Sequence, residues 1–389
     1  MKIIFYCQYV WGMGHLYRSI ELVRALDDHQ VTLIAGGQPV DFDLPDHANL
    51  LRLPTLFMDE QFTRLIPGNP AQSVSRIQSE RQEILSSLFK REQPDLFIVE
   101  LYPFGRTIFG YELDPLLTAI RQGRFGSVGT ICSLRDILVE KKDPVAFEQR
   151  ALDKLNEFFD ALLVHSDPDL VRLDETFTRV AEIKIPIYYT GFVTQHTDPN
   201  AGQILRQKLS LADDQRLIVA SAGGGRSGYK LLSSVLKAFQ IDGNARQSRL
   251  EVFAGPFMDA DEFEKLRQQS RSDIRVRRFT HRFLDYLYAA DLSISLAGYN
   301  TCMNLLVTGV RALIYPYYRQ REQPMRLEKI KNLLPMRILR DDDLKPSALS
   351  KLMDQMLRQR TSKEFSSVNL NGAQTAARYL NNWLNKTTS

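Results

Sequence analysis

The sequence predicts an α/β protein of two doubly wound domains, each a parallel sheet with helices on both faces. Three observations predict it. Short β-branched or aromatic runs alternate with stretches of helical period from the first residues onward. The alternation halts at a polar, turn-rich segment, residues 195–202, and then begins again. The 389 residues also suit a pair of domains at roughly 150 residues each.

Taken in order, the first set of strands is expected at 3–7, 31–35, 96–100, 127–132, 161–165 and 187–190, with a helix at 16–26 and helical patterns between most of the rest. The second set falls at 217–221, 250–254, 274–278, 292–295 and 312–315, each followed by a helical pattern. The boundary is placed near 193–203, giving domains over 1–195 and 196–365. The tail, 366–389, has helical period at 373–384, far enough past the last strand to cross back onto the first domain. Two such domains in tandem would face each other across a cleft between the carboxyl ends of their sheets, where ligands of these folds bind. No short repeat or low-complexity segment is present, so solenoids and propellers are excluded.

A content of 44% hydrophobic and 25% charged residues excludes disordered and fibrous classes. Cys7, Cys132 and Cys302 are widely spaced in apolar stretches, which excludes a zinc ribbon or disulfide framework and fits a reducing compartment. No apolar run approaches the roughly 18 residues of a membrane span, and Met1-Lys2 leads into a strand without a cleavage site, so a cytoplasmic location is expected. The net charge of +4 conceals an asymmetry. Residues 1–192 hold 20 Lys and Arg against 27 Asp and Glu, a balance of −7, whereas residues 193–389 hold 30 against 19, a balance of +11. A basic second half suits nucleic acid, an anionic membrane or a phosphorylated small molecule.

Four constellations lie at the expected strand ends. The first is Trp11-Gly12-Met13-Gly14-His15-Leu16-Tyr17-Arg18. Gly12 and Gly14 let the backbone approach a ligand, and the helix behind them offers N–H groups to an oxyanion; with Arg18 they form a candidate substrate-binding set. The third glycine of a dinucleotide fingerprint would fall at Tyr17, and Asp41 and Asp43 lie beyond the second strand, which argues against a nicotinamide enzyme. No cofactor is expected. His15 is either a functional imidazole over the cleft or a satisfied residue at a helix start.

The second constellation, Ser221-Ala222-Gly223-Gly224-Gly225-Arg226-Ser227-Gly228, can turn amides to a diphosphate while Arg226 neutralises charge. No Lys-Ser/Thr pair follows at the Walker spacing, so nucleoside triphosphate hydrolysis is not expected. The third runs from Phe279-Thr280 to Gly298-Tyr299-Asn300-Thr301, and the last four residues fall where a helix begins. The fourth, Pro316 to Gln323, is a polar loop opening a helix.

The Gly-Met-Gly-His turn, the loop at 223–228, Ala290-Asp291 followed by Ala297-Gly298-x-x-Thr301, and Arg321-Glu322-Gln323 together resemble the motifs of GT-B glycosyltransferases. The likeness is strongest to the family 28 group that contains the peptidoglycan N-acetylglucosaminyltransferase and its uncharacterised relatives. It covers most of the chain, and its C-terminal part is the more specific. The resemblance implies a GT-B architecture, an acceptor-binding first domain and a second domain that holds a nucleoside-diphosphate sugar, with UDP the expected nucleotide. By the same likeness Gly224, Gly225 and Arg226 would lie near the diphosphate, Phe279 and Thr280 near the base, Gly298, Asn300 and Thr301 near the phosphates, and Glu322 and Gln323 near the sugar hydroxyls. Asn304 stands where the peptidoglycan enzyme has a ribose-binding glutamate. An amide cannot accept two charge-assisted bonds, which leaves uridine specificity open.

Sugar transfer needs a base for the acceptor hydroxyl and stabilisation of a departing diphosphate. Glycine-loop amides and helix N-termini suit the second task without a metal. Asp167-Pro168-Asp169 and Asp341-Asp342-Asp343 are read as N-cap clusters, not metal sites. His15 is the first choice of base. Asp136 and Glu100 are either alternatives, its orienting partner, or ion-pair partners of Arg135 and Arg106. Direct displacement by the acceptor would invert the anomeric centre.

Two competing classes remain, a sugar-nucleotide epimerase or hydrolase on the same scaffold and a non-catalytic anion-binding protein using Arg271, Arg275, Arg277, Arg278 and Arg282. Because no aromatic stacking platform accompanies those arginines, nucleic acid is not expected as a partner. Peripheral membrane association stays open, as does the acceptor, whether small metabolite, glycan or lipid-linked sugar.

Overall fold

The computed structural model describes residues 1–9, 13–59, 64–198, 200–241, 248–318, 321–359 and 368–387. The chain divides into two compact units, Met1–Val193 with Val368–Ser389, and Thr194–Ser367.

The first unit runs β1 (Lys2–Tyr9), α1 (Gly14–Arg24), β2 (Gln30–Gly37), β3 (Ala48–Arg52), β4 (Leu56–Met58), β5 (Leu65–Pro67), α2 (Val74–Glu92), β6 (Leu96–Glu100), α3 (Gly110–Arg121), β7 (Gly129–Arg135), α4 (Pro144–Phe158), β8 (Ala161–His165) and β9 (Ile187–Tyr189). Its sheet is parallel throughout, in the order β3-β2-β1-β6-β7-β8-β9, with β4 and β5 as a separate antiparallel pair. Helices start where the chain supplies caps: Ser73 accepts the Arg76 amide at 3.2 Å ahead of α2, and Asp143, followed by Pro144, accepts the Ala146 amide at 3.0 Å ahead of α4.

The second unit contains α5 (Ala201–Lys208), β10 (Arg216–Ser221), α6 (Tyr229–Ile241), β11 (Ser248–Phe253), α7 (Ala260–Arg267), β12 (Ile274–Arg277), α8 (Phe283–Ala289), β13 (Leu292–Leu296), α9 (Tyr299–Thr308), β14 (Ala312–Tyr315), α10 (Glu322–Ile330), β15 (Met336–Ile338) and α11 (Pro346–Arg358). Its parallel sheet has the order β12-β11-β10-β13-β14-β15. The chain then returns to the first unit as α12 (Gly372–Thr387). Ala373, Ala376, Ala377, Leu380 and Leu384 repeat at helical spacing and bury against Phe5, Leu22 and Leu26. The first sheet is thereby covered on one face by α1 and α12 and on the other by the core that α2, α3 and α4 supply.

Strands β3, β4, β5 and β15 were not expected. Each is five residues or shorter and only partly buried, so none gives a continuous apolar run or a sustained alternation. The aspartate clusters also differ from expectation. No α-helix begins at Asp167; its carboxylate accepts the backbone N–H of Asp169 at 3.0 Å and of Asn369 at 2.8 Å, which ties the tail to the first unit. Asp341 to Asp343 form a short 3-10 turn with Leu344, in which Asp343 accepts the Arg340 amide at 2.8 Å.

Candidate functional site

In both sheets the strand order reverses beside the first strand, between β1 and β6 in one unit and between β10 and β13 in the other. Loops leave a reversal point in opposite directions, so the carboxyl ends of those strand pairs frame the natural ligand crevice of each unit.

His15 is the second residue of α1 and Glu100 is the last of β6, so they flank the first reversal point. His15 Nδ1 lies 2.7 Å from Glu100 Oε1. Arg18, one turn along α1, donates from Nη2 to the same oxygen at 2.5 Å and sits 3.2 Å from His15 Nδ1. A guanidinium cannot accept, so the arrangement is consistent only if both nitrogens donate to the carboxylate. Nδ1 therefore carries the imidazole proton, and Nε2, which no described residue engages, keeps its lone pair. Side-chain exposures of 0% for Glu100, 2% for Arg18 and 17% for His15 separate the roles, since only the imidazole reaches solvent.

Burial lowers the His15 pKa to about 4 against an opposing pull from Glu100, so the ring is neutral at physiological pH. For Glu100 burial acts upward, but His15, Arg18 and Arg106 outweigh it and hold the carboxyl well below the usual carboxylate range. The arrangement is a neutral imidazole fixed in one tautomer by a buried carboxylate, the geometry of a general base and its orienter.

The other expected residues of this unit differ in their surroundings. Gly14 is the first residue of α1; Gly12 lies outside the described residues. Arg18, expected to bind ligand, faces inward, because a carboxylate buried at a strand end requires a countercharge. Asp136 is fully buried 3.6 Å from Arg135 Nε and makes no bond to His15, which places it as a charge partner. His165 is sealed in the core between Ser133 Oγ, 2.7 Å, and Thr190 Oγ1, 2.9 Å, and burial lowers its pKa to about 3. Cys7 ends buried beside Glu100, its thiol pushed up to about 12 by burial, so it stays protonated.

In the second unit the 221–228 loop follows β10. Its glycines do different work. A side chain on Gly225, at φ 100°, would meet the Ala254 carbonyl at 2.6 Å, and one on Gly228 would meet the Ala222 Cβ at 2.0 Å, so both are there for close packing. Gly223 and Gly224 instead border open space, and the Gly224 amide has no partner among the described residues. Arg226 is exposed with its guanidinium 5.6 Å from the Phe257 ring centre. Across the reversal point Gly298 caps α9, whose first internal bond is Cys302 N–H to the Gly298 carbonyl at 3.0 Å, leaving the amides of Asn300 and Thr301 without helical partners. A side chain on Gly298 would meet only Thr301 Oγ1, at 3.9 Å. Asn304 lies one turn further along α9, 4% exposed. Two sets of outward amides thus face the crevice from β10 and β13, as an oxyanion site requires.

Solved structures with this arrangement of two doubly wound units include the calicheamicin glycosyltransferase CalG4 (14% identity, TM-score 0.62, covering 100% of this chain and 99% of that one). MurG of Acinetobacter baumannii gives 13% identity and a TM-score of 0.54 over 99% of each chain, and the UDP-GlcNAc 2-epimerase of Methanocaldococcus jannaschii 12% and 0.60 over 98% and 100%. At such identity the likeness establishes the fold alone. No curated protein matches the chain by sequence. Residues 222–379 match the glycosyltransferase family 28 C-terminal domain. The chain has the GT-B fold, and its second unit carries a match to the glycosyltransferase family 28 C-terminal domain.

Some of the expected motif residues are committed to the protein's own loops. Gln323 Oε1 accepts the Tyr317 amide at 2.8 Å, pinning the turn before α10. Glu322 accepts from Arg326 at 2.8 Å, and Arg326 lies over the Tyr299 ring at 5.4 Å, linking α10 to α9. Thr280 Oγ1 accepts the Arg282 amide at 3.1 Å, and Phe279 meets the His281 ring edge-on at 4.9 Å. The arginines weighed as a binding patch are largely neutralised: Arg271 pairs with Asp273, Arg277 with Glu251, and Arg282 with Asp285, while Arg278 stacks on Phe263. Among the described residues no cluster of His, Cys, Asp and Glu could hold a metal ion, and no helix is long and apolar enough to cross a membrane.

Two features of the first unit lay outside the sequence reading. Arg81 is fully buried and grips Glu112 through Nε at 2.7 Å and Nη2 at 2.6 Å, with Tyr6 also donating to Glu112. The other is the buried Nε of Arg106, which the sequence offered only as an ion-pair partner for the carboxylates and which makes no bond to Glu100 Oε2. Arg81 sits in an ordinary polar stretch that gives no local signal, whereas Arg106 is a single cation in the apolar run Leu101 to Phe109.

Proposed function

We propose that the protein is a glycosyltransferase that moves a sugar from a UDP-sugar to an acceptor hydroxyl with inversion and without a metal ion, His15 acting as base and Glu100 as its orienter. The single observation that carries the base assignment is the Nδ1 to Glu100 hydrogen bond, which leaves Nε2 available on the solvent side. In the transfer Nε2 takes the proton of the acceptor hydroxyl as its oxygen bonds to the anomeric carbon. The bond from that carbon to the diphosphate breaks, and UDP leaves with the electron pair. Glu100 stabilises the imidazolium so formed, and Arg18 keeps Glu100 ionised. Charge developing on the diphosphate would be met by the amides of Gly224 and the α9 N-terminus, with Arg226 and Thr301 at their edge.

The first unit is assigned the acceptor and the second the donor. A UDP-release assay across UDP-sugars and candidate acceptors, with the anomer of the product read by NMR, tests the reading. UDP release that depends on acceptor and yields an inverted product supports it. Isomerised UDP-sugar formed without acceptor would instead make the protein an epimerase.

A further inference from the structure

The carboxyl edge of the first sheet holds a cation, Arg106, that the mechanism does not use. Arg106 ends the loop after β6, residues 101–106. Leu101 and Arg106 both have left-handed backbones, φ 68° and 57°, two of four such non-glycine residues among those described. That conformation persists only where the surroundings impose it, and here they do. Tyr102 and Phe104 are buried in the core, the Phe104 ring meets Phe177 edge-on at 5.2 Å, the Leu101 amide donates to the Ser133 carbonyl at 2.8 Å, and the Gly105 amide donates to the Leu101 carbonyl at 3.0 Å. The loop is a rigid mount for the Arg106 side chain.

Arg106 Nε is buried with no hydrogen-bond partner among the described residues. A buried N–H left in that state is costly, and native structures seldom retain one without a use. Glu100, the nearest anion, is already engaged at Oε1 by His15 and Arg18, and its Oε2 makes no bond to Arg106. Arg135, at the end of β7, and Lys141, on the exposed loop before α4, lie close enough to interact electrostatically with Arg106. Three arginines, Arg18, Arg106 and Arg135, with Lys141 thus face two carboxylates, Glu100 and Asp136. With His15 neutral the group carries excess positive charge, in the half of the chain whose balance is −7. The surplus is local and sits beside the proposed base.

We propose that Arg106, assisted by Arg135 and Lys141, is the anion subsite of the acceptor, holding a phosphate or carboxylate next to the hydroxyl that His15 deprotonates. The proposal rests on the reading of the first unit as the acceptor unit. A planar guanidinium matches the paired oxygens of either group, and a fixed anion would register the hydroxyl against Nε2.

The test titrates the full chain calorimetrically with inorganic phosphate and, separately, with malonate, in the presence of saturating UDP so that the donor site is filled. The same titrations of Arg226→Ala without UDP serve as a control for binding at the donor loop. Wild type should bind at least one anion, the tighter of the two identifying the acceptor group. Arg106→Gln should weaken that binding roughly tenfold or more, with UDP affinity unchanged. Should Arg106→Gln lower the melting temperature, Arg106→Lys, which keeps the charge but loses the fork, should still weaken anion binding in a fully folded protein. Equal anion binding by wild type and both variants, or none by wild type, overturns the subsite. Failure of wild type to bind UDP would count instead against the transferase reading, leaving the anion result to be judged separately.

Discussion

Replacing His15 with alanine separates chemistry from folding. The imidazole is 17% exposed and makes one strong bond, to Glu100 at 2.7 Å. Its removal leaves Arg18 donating to the same oxygen at 2.5 Å, so the buried carboxylate keeps a countercharge. The stability loss should then be that of one hydrogen bond and a partly buried ring, about 1 to 2 kcal/mol, or roughly 2 to 8 °C in Tm. Loss of a general base costs roughly 10²- to 10⁴-fold in rate, about 2.7 to 5.5 kcal/mol of barrier.

Glu100→Gln should behave differently. It takes the carboxylate charge away from a buried Arg18 as well as freeing the imidazole, so about 3 to 5 kcal/mol of stability should go with the activity. Initial rates of acceptor-dependent UDP release, UDP affinity by calorimetry, and thermal melts measure the three quantities. In wild type, kcat/KM should stay level as pH falls from about 8 to about 5 and decline only near the His15 value of about 4. A His15→Ala rate within about fivefold of wild type would refute the base assignment. So would a stability loss as large as that of Glu100→Gln, because it would make the imidazole a structural group.

The donor loop yields a paired prediction: Gly225→Ala, forced to φ 100° with its Cβ at 2.6 Å from a carbonyl, should lower both Tm and UDP affinity, whereas Gly224→Ala, whose nearest neighbour would be Phe257 at 3.8 Å, should leave Tm unchanged. Equal melting temperatures for the two would contradict the division of labour among these glycines. Arg226→Ala should weaken UDP binding roughly tenfold, as loss of one charge-assisted bond requires; an unchanged Kd means the guanidinium takes no part in donor binding. In acid, the unfolded chain protonates His15 and His165 near pH 6.5, while the folded protein does so only near 4 and 3. The folded values lie below the unfolded ones, so stability is full above about pH 6.5 and falls as pH drops toward 3. Urea midpoints should show a shallower decline for His15→Ala than for wild type between about pH 6.5 and 4, and parallel declines would remove His15 from the linkage.

The sequence by itself determined the order of strands and helices, because periodicity reports which faces of a segment are buried and needs no knowledge of neighbours. The three strands at 96–100, 161–165 and 312–315 coincide with those observed. It failed for β3, whose five residues sit at a half-exposed sheet edge, and for β4, β5 and β15, three residues each, although it found the equally short β9 in the run Ile187 to Thr190. At the site, His15 and Glu100 were each legible as a polar residue at a strand end.

What the sequence left open was which carboxylate serves His15. Glu100 and Asp136 are 85 and 121 positions away in the chain and look equivalent in one dimension. The sheet order decides between them, since β6 lies next to β1 and β7 one strand further out. The same holds for the glycine loop: composition shows four glycines, but only the approach of residues 254–258 reveals that Gly225 fills a space no side chain could share while Gly224 borders an open one. Arg18, Arg81 and Arg106 make the point most sharply. An arginine reads as a surface residue until the fold supplies a buried carboxylate for it, as it does for the first two, or leaves its N–H unmet, as it does for the third. Side-chain partnership depends on which strands and loops become neighbours, and that is a property of the tertiary structure.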